Sequence, residues 1–336
     1  MDLTVNLVSL GFEAGLGGSE RGLVGLRGRW AGLTVCGCGH AAFLCRLAAL
    51  LREKFPVHSS NKSHHPALKI GILGGGNIGK QLTKVLLTVP GLKPSNISIS
   101  TKRPETLKEF SNRGVECYFD NCRLALWSDV LFLCVLPSHL PRVCAELHTH
   151  LPAHCLVYSF TTAVPLPRLA QLLGHSFVIR PQYIFDACDS AQLWLCHNQV
   201  TTALQDKEVL TASCPLSMCG GLSLNQMWVS AVLYSLLNMC TANGLGSIQT
   251  IQLLNELFQS NPSSETFTSL SFVNSSCASK LSTSEPFPWI ILTDTQTKQT
   301  PLSSFLFGSK ALQDCISAMY YNTFSGMSSE KIQMKD

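Results

Sequence analysis

Charge is scarce in this sequence. Only 14% of its 336 residues are Asp, Glu, Lys or Arg, and the net charge is +4. No basic run with interleaved aromatics is present, which excludes the electrostatic footprint of a nucleic-acid binder. No secretory leader is expected, because Asp2 and Glu13 stand where a signal peptide carries neither. No acid falls between residues 21 and 52, although Arg21, Arg27, Arg29, Arg46 and Arg52 do. A cytoplasmic location is expected, with a cryptic mitochondrial presequence as the alternative. Cysteine is not scarce, but a disulfide framework is lacking. The count of 15 is odd, and residues such as Cys117, Cys134, Cys144 and Cys155 sit singly in apolar segments, as reduced buried thiols do. The tightest cluster, Cys36, Cys38 and His40 with Cys45 nearby, has no second pair of ligands at zinc-like spacing, so no metal is expected. The long stretch Met227–Leu245 has no charge, but Ser230, Ser235, Asn238 and Asn243 interrupt it. A buried core helix is expected there rather than a membrane span.

What remains is an apolar globular chain with enough length for two domains. Residues 1–66 read as an N-terminal extension, poorly ordered or partly helical, with one helix-like piece over 41–51 and a polar linker after it. From residue 67 to 185, short strands alternate with helices. Val130–Leu136 is an uninterrupted apolar run closed by Pro137, as in a central parallel strand covered on both faces. The expected fold is therefore α/β, a Rossmann-like doubly wound parallel sheet. After residue 186 the strands are expected to give out into an all-α C-terminal domain. Helices are predicted over 225–240, 247–259 and 310–324, with a Ser/Thr-rich irregular stretch over 260–308. The first is apolar on nearly every face and must be covered by its own domain or by a second subunit.

The chemistry begins at KIGILGGGNIGKQL, residues 69–82. A strand precedes the glycines and a helix follows, the context that a dinucleotide fingerprint requires. In that pattern Gly74 makes the tight turn, Gly76 lets a pyrophosphate approach the backbone, and Gly79 lets the helix pack on the strand. Asn77, Ile78 and Gly79 open the helix, whose free amides and dipole hold the anion. The next strand ends at Ser98-Ile99-Ser100-Thr101-Lys102-Arg103-Pro104, without the carboxylate that grips the ribose hydroxyl of NAD. Ser100, Thr101, Lys102 and Arg103 instead offer hydroxyls and cations to a 2′-phosphate, so NADP is the expected cofactor.

Taken together, KIGILGGGNIGKQL, ISISTKRPETL, the Gly114-Val115 strand and SDVLFLCVLP resemble the pyrroline-5-carboxylate reductase family over residues 67–185, and more faintly over 215–260. The resemblance implies a Rossmann domain, a helical domain that builds a homodimer through its C-terminal helices, and hydride transfer from NADPH to a carbon–nitrogen double bond. It also implies that Val135, Leu136 and Pro137 run beside the cofactor. Thr161-Thr162-Ala163 falls near the family's Ala-Gly turn, and Arg180-Pro181-Gln182 where the family has Met-Pro-Asn. Leu136 stands in place of the family's lysine, Gln182 in place of its asparagine, and its Gly-Ser-Gly-Pro-Ala-Tyr segment is absent. The nearest stretch is Ser217–Ser223.

An open α/β sheet puts its crevice at the carboxyl ends of its strands. The catalytic candidates there are Ser138, His139, Thr161, Gln182 and Tyr183. His139 is a candidate general acid, but the pair reads first as a plain helix entry with Ser138 as the cap. Three functions are open: a reductase of a small imine or carbonyl substrate, an NADP(H)-binding protein without turnover, and a β-hydroxyacid dehydrogenase. The last needs a lysine on the helix facing the nicotinamide, and residues 225–255 contain none.

Overall fold

The computed structural model describes residues 24–55, 67–186, 191–258 and 266–325. The elements run α1 (Val24–Glu53), β1 (Ile70–Leu73), α2 (Asn77–Leu86), β2 (Ile97–Ser100), α3 (Lys108–Ser111), β3 (Glu116–Tyr118), α4 (Asn121–Trp127), β4 (Val130–Leu133), α5 (Leu140–Leu147), β5 (Leu156–Ser159), α6 (Leu166–Leu173) and β6 (Val178–Ile179). Then follow β7 (Tyr183–Phe185), α7 (Ala191–Leu195), α8 (Val200–Ala203), α9 (Lys207–Ser213), β8 (Leu222–Leu224), α10 (Met227–Ala242) and α11 (Ser247–Phe258). The chain closes with α12 (Ser269–Phe272), α13 (Ser275–Ala278), α14 (Leu292–Thr295), α15 (Pro301–Gly308) and α16 (Lys310–Ser325).

Six parallel strands lie in the order β3-β2-β1-β4-β5-β6. The order reverses between β1 and β4, the switch point above which doubly wound sheets bind their ligands. The period-two alternation of strand side chains divides the core in two. Ile70, Ile72, Phe132 and Tyr158 face α1 and α2, whereas Leu73, Leu131, Leu133 and Val157 pack with α4, α5 and α6.

Two features differ from the sequence expectation. Strands do not give out after residue 186: Leu222-Ser223-Leu224 pairs antiparallel with Tyr183-Ile184-Phe185. This pairing joins segments almost forty residues apart, and three alternating residues carry too little local periodicity to announce it. Second, the helix expected over 41–51 begins at Val24 and is 30 residues long. Its glycines, each costing about 1 kcal/mol of helix propensity, hide it in the sequence. The fold uses them as close-approach points. A Cβ on Gly32 would meet the Trp194 ring at 3.0 Å, one on Gly37 the Phe160 ring at 3.0 Å, and one on Gly39 the Tyr320 hydroxyl at 2.5 Å.

The described part of the N-terminal segment is packed into the rest of the chain. Helix α1 lies against α2 of the sheet domain and against α7, α10, α11 and α16 of the helical region. Arg52 near its end pairs with Asp129 at 2.7 Å, and the same carboxylate oxygen accepts the Lys69 amide at 2.8 Å, tying the helix to the edge of β1. Among the described residues, Leu26–Glu53 is the one helix long and apolar enough to cross a membrane, and 83% of its apolar window is buried inside the protein. Helix α10 is covered by its own chain, with every residue from Trp228 to Cys240 buried against α1, α11, α14 and α15. Within the Ser/Thr-rich stretch, residues 266–308 form four short helices; 259–265 lie outside the described residues.

Candidate nucleotide site

Strand β1 delivers the chain to the glycine turn at the switch point. Gly74 has φ +112°, and a Cβ there would lie 2.5 Å from the Cys134 carbonyl oxygen, so only glycine lets β1 and β4 finish side by side. A Cβ on Gly79 would overlap the Gly74 carbonyl oxygen, which is how close α2 sits on the turn. Gly76 is different. It caps α2 with no side-chain bond, and a Cβ built on it meets nothing within 4 Å. The start of α2 is thus open in front of Gly76, and its opening amides, on Asn77, Ile78 and Gly79, have no intrahelical partner, as an anion site at a helix start requires.

That space belongs to a cavity of about 470 Å³. Gly74, Gly75 and Gly76 form its floor, Ser100, Thr101, Lys102 and Arg103 one wall, and Cys134, Val135 and Leu136 another. Pro137 follows directly, exposed at the rim. Lys102 and Arg103 are exposed, and among the described residues no carboxylate pairs with either. Arg103 is the residue before a single 3-10 turn, Pro104–Leu107, and lines the cavity.

Ser100 lines the cavity, but its hydroxyl is engaged within the protein. It is buried, its Oγ donates to Asn121 Oδ1 at 2.8 Å and accepts the Asp120 amide at 3.2 Å. Asn121 Nδ2 in turn donates to Glu146 Oε2 at 2.7 Å, and Arg142 Nε donates to Glu146 Oε1 at 3.2 Å. Ser100 thus anchors a polar chain that crosses the cavity wall from β2 to α5. Thr101 is the hydroxyl left at the surface. The sequence reading missed Asn121, Arg142 and Glu146. The position of Asn121 just past β3 was a usable signal, since strand ends line the crevice; Arg142 and Glu146 carried none.

The five catalytic candidates do not converge. Ser138 and His139 both line the large cavity, exposed, in the 3-10 turn Pro137–His139. Ser138 is not a helix cap, a correction to that reading: the residue before α5 is His139, with no side-chain cap bond, because the 3-10 turn carries the chain into the helix. Thr161 is buried and its Oγ1 donates to the Val135 carbonyl at 3.2 Å, linking the ends of β5 and β4. Gln182 lines a separate small pocket.

Tyr183 turns its hydroxyl into the core, onto His40 of α1. The Nε2 of His40 faces the Ser213 carbonyl at 2.8 Å and must donate, so Nδ1 accepts the Tyr183 hydroxyl at 3.0 Å. Both ring nitrogens of His40 are therefore engaged within the protein. Burial lowers its pKa to about 4, against an ordinary 6.5. Between these values the unfolded chain binds a proton that the folded one refuses, so stability falls as pH drops. Going from pH 7 to pH 5 is expected to remove about 2 kcal/mol through this residue. Urea midpoints at the two pH values test this, and a His40→Gln variant with the same slope would refute it.

Of the His/Cys/Asp groups among the described residues, Cys196, His197 and Asp206 bring their ligand atoms within 4.8 Å of one another. There the His197 ring and Asp206 form a hydrogen-bonded pair at 2.9 Å, while the other carboxylate oxygen caps α9.

The family described as "NADP oxidoreductase coenzyme F420-dependent" matches residues 69–162. The chain is 26% identical to pyrroline-5-carboxylate reductase 3 of Danio rerio, over 49% of its own length and 57% of that protein. A solved pyrroline-5-carboxylate reductase from Coxiella burnetii aligns with 78% of this chain and 98% of its own, at 16% identity and a TM-score of 0.32. NADP-dependent oxidoreductase domain-containing protein 1 of Mus musculus is 39% identical over 98% of this chain and 96% of its own. The chain belongs to the family of that oxidoreductase domain-containing protein.

Proposed function

We propose that this protein is an NADP(H)-dependent reductase of a small imine or carbonyl substrate. The observation that carries the reading is the uncapped glycine turn opening onto a cavity whose exposed cations, Lys102 and Arg103, have no acidic partner among the described residues. A dinucleotide with an extra phosphate answers both features. The pyrophosphate meets the amides of Gly76 and the first turn of α2, and the 2′-phosphate meets Thr101, Lys102 and Arg103. When bound, the nicotinamide supplies the hydride. The protein's tasks are to orient that end along Val135 and Leu136, to exclude water and to hold a proton. Of the five candidates, His139 alone puts a titratable ring on the cavity wall.

Titration with NADPH and with NADH tests the cofactor half. NADPH is expected to bind more tightly, and Lys102→Glu with Arg103→Glu to weaken it roughly 100-fold, about 1.4 kcal/mol per residue, while NADH shifts less than about twofold. Equal affinities for the two cofactors would sink the reading. NADPH oxidation over a panel of cyclic imines and 2-oxo acids tests the reaction. Tight binding with no turnover on any of them would instead favour a binding protein without catalysis.

A further inference from the structure

The segment between α7 and α9 brings three metal-ligand groups to one point. Cys196 and His197 follow the end of α7, and Asp206 is the residue before α9. A sulfur, a ring nitrogen and a carboxylate oxygen from these three lie within 4.8 Å of one another. Spacing in the sequence does not announce the set, because the acid comes nine residues after the histidine.

The acid is held so that one oxygen faces the other two groups. Asp206 Oδ1 accepts the amides of Glu208 at 2.8 Å and Val209 at 3.3 Å, which fixes the carboxylate and leaves Oδ2 toward His197. His197 Nε2 meets that oxygen at 2.9 Å. Among the described residues no lysine or arginine pairs with Asp206. Cys196 is exposed, and its thiol donates to the Leu193 carbonyl at 2.9 Å. Zinc ligands, at about 2.0–2.3 Å from the ion, stand roughly 3.3–3.8 Å apart in a tetrahedron. The His197–Asp206 pair needs to open by a few tenths of an ångström to reach that spacing. Rotation of the exposed thiol off the Leu193 carbonyl brings in the third ligand.

We propose that Cys196, His197 and Asp206 bind a zinc ion, with the fourth position open to solvent. The ion takes the place of the proton between His197 and Asp206. The imidazole then carries its proton on Nδ1, and the thiol proton leaves to water. Thiolate, imidazole and a single carboxylate suit zinc, whereas calcium and magnesium need several oxygens. Bound there, the ion clasps the end of α7 to the start of α9. Helix α7 carries Trp194, whose ring packs on Gly32 of α1, so the clasp also steadies the seat of the long helix. None of the three residues lines the nucleotide cavity, and the site is independent of the cofactor reading.

The test uses the full-length protein, stripped with a chelator and titrated with cobalt(II) and then zinc. Cobalt is expected to give a thiolate charge-transfer band and the intense visible bands of a tetrahedral site, which zinc abolishes at one ion per chain. A zinc Kd of about 1 μM or tighter is expected. Cys196→Ser, His197→Gln and Asp206→Asn are each expected to weaken it more than about 100-fold, the upper range for groups that merely orient a ligand. Asparagine keeps the cap of α9, so Asp206→Asn leaves the fold intact. Cys219→Ser removes the other exposed thiol among the described cysteines and is expected to change nothing. Zinc is also expected to raise the melting temperature of the parent and not of Cys196→Ser. Cobalt spectra without a thiolate band, a zinc Kd weaker than about 100 μM, or a Cys196→Ser protein with parental affinity overturns the proposal.

Discussion

Replacing Gly76 with valine is expected to weaken NADPH binding about 100-fold, roughly 2.7 kcal/mol, with little effect on folding. The reason is the empty volume in front of that residue. Its backbone, at φ −76° and ψ −166°, is open to any side chain, and a Cβ there touches nothing. The change costs at most about 1 kcal/mol, the loss of a permissive helix cap. A branched side chain then occupies the one place where a pyrophosphate must approach the amides. Gly79→Val supplies the contrast. Its Cβ would overlap the Gly74 carbonyl oxygen, so the helix has to lift from the turn, an overpacking expected to destabilise the fold by about 3 kcal/mol. Both variants lose the cofactor, one with the melting temperature nearly unchanged and the other with it lowered. Parental affinity in Gly76→Val would mean that the space serves no nucleotide.

A chain lacking residues 1–55 is expected not to fold at all. The prediction follows from what α1 buries: Val35, Phe43, Leu44, Leu47 and Leu51 are each at most 1% exposed. Full burial of such a side chain contributes about 1.5–3 kcal/mol. Five of them therefore match the 5–15 kcal/mol of net stability that a typical protein has. Removal also strips cover from α10 and leaves the Asp129 carboxylate without Arg52. A milder version is Phe43→Ala, which empties the site beside Tyr320 and is expected to cost about 3–5 kcal/mol. Circular dichroism melts and soluble yield measure both. A shortened protein that unfolds cooperatively near the parental temperature would show that α1 is an accessory.

These cases mark what the chain made legible. The nucleotide half was readable because its signals are local: a strand, a glycine turn and a helix within fourteen residues, then a strand end without an acid. The six strands of the sheet were readable for the same reason, each being a short apolar run between turn residues. Two things were not. The glycines of α1 argue against a helix in propensity, and only the rings of Trp194, Phe160 and Tyr320, distant in sequence, give each of them a purpose. Tyr183 lay next to a strand end and read as a crevice residue, but nothing near it in sequence discloses the histidine 143 residues earlier that draws its hydroxyl inward.

Helix α1 is the first described element to leave the ribosome, and it packs against α16, the last. Its apolar faces thus have no complete set of partners until α16 has been made. The two halves of the molecule cannot mature one after the other, as modular chains do. Closure of the fold therefore waits for α16 to meet α1.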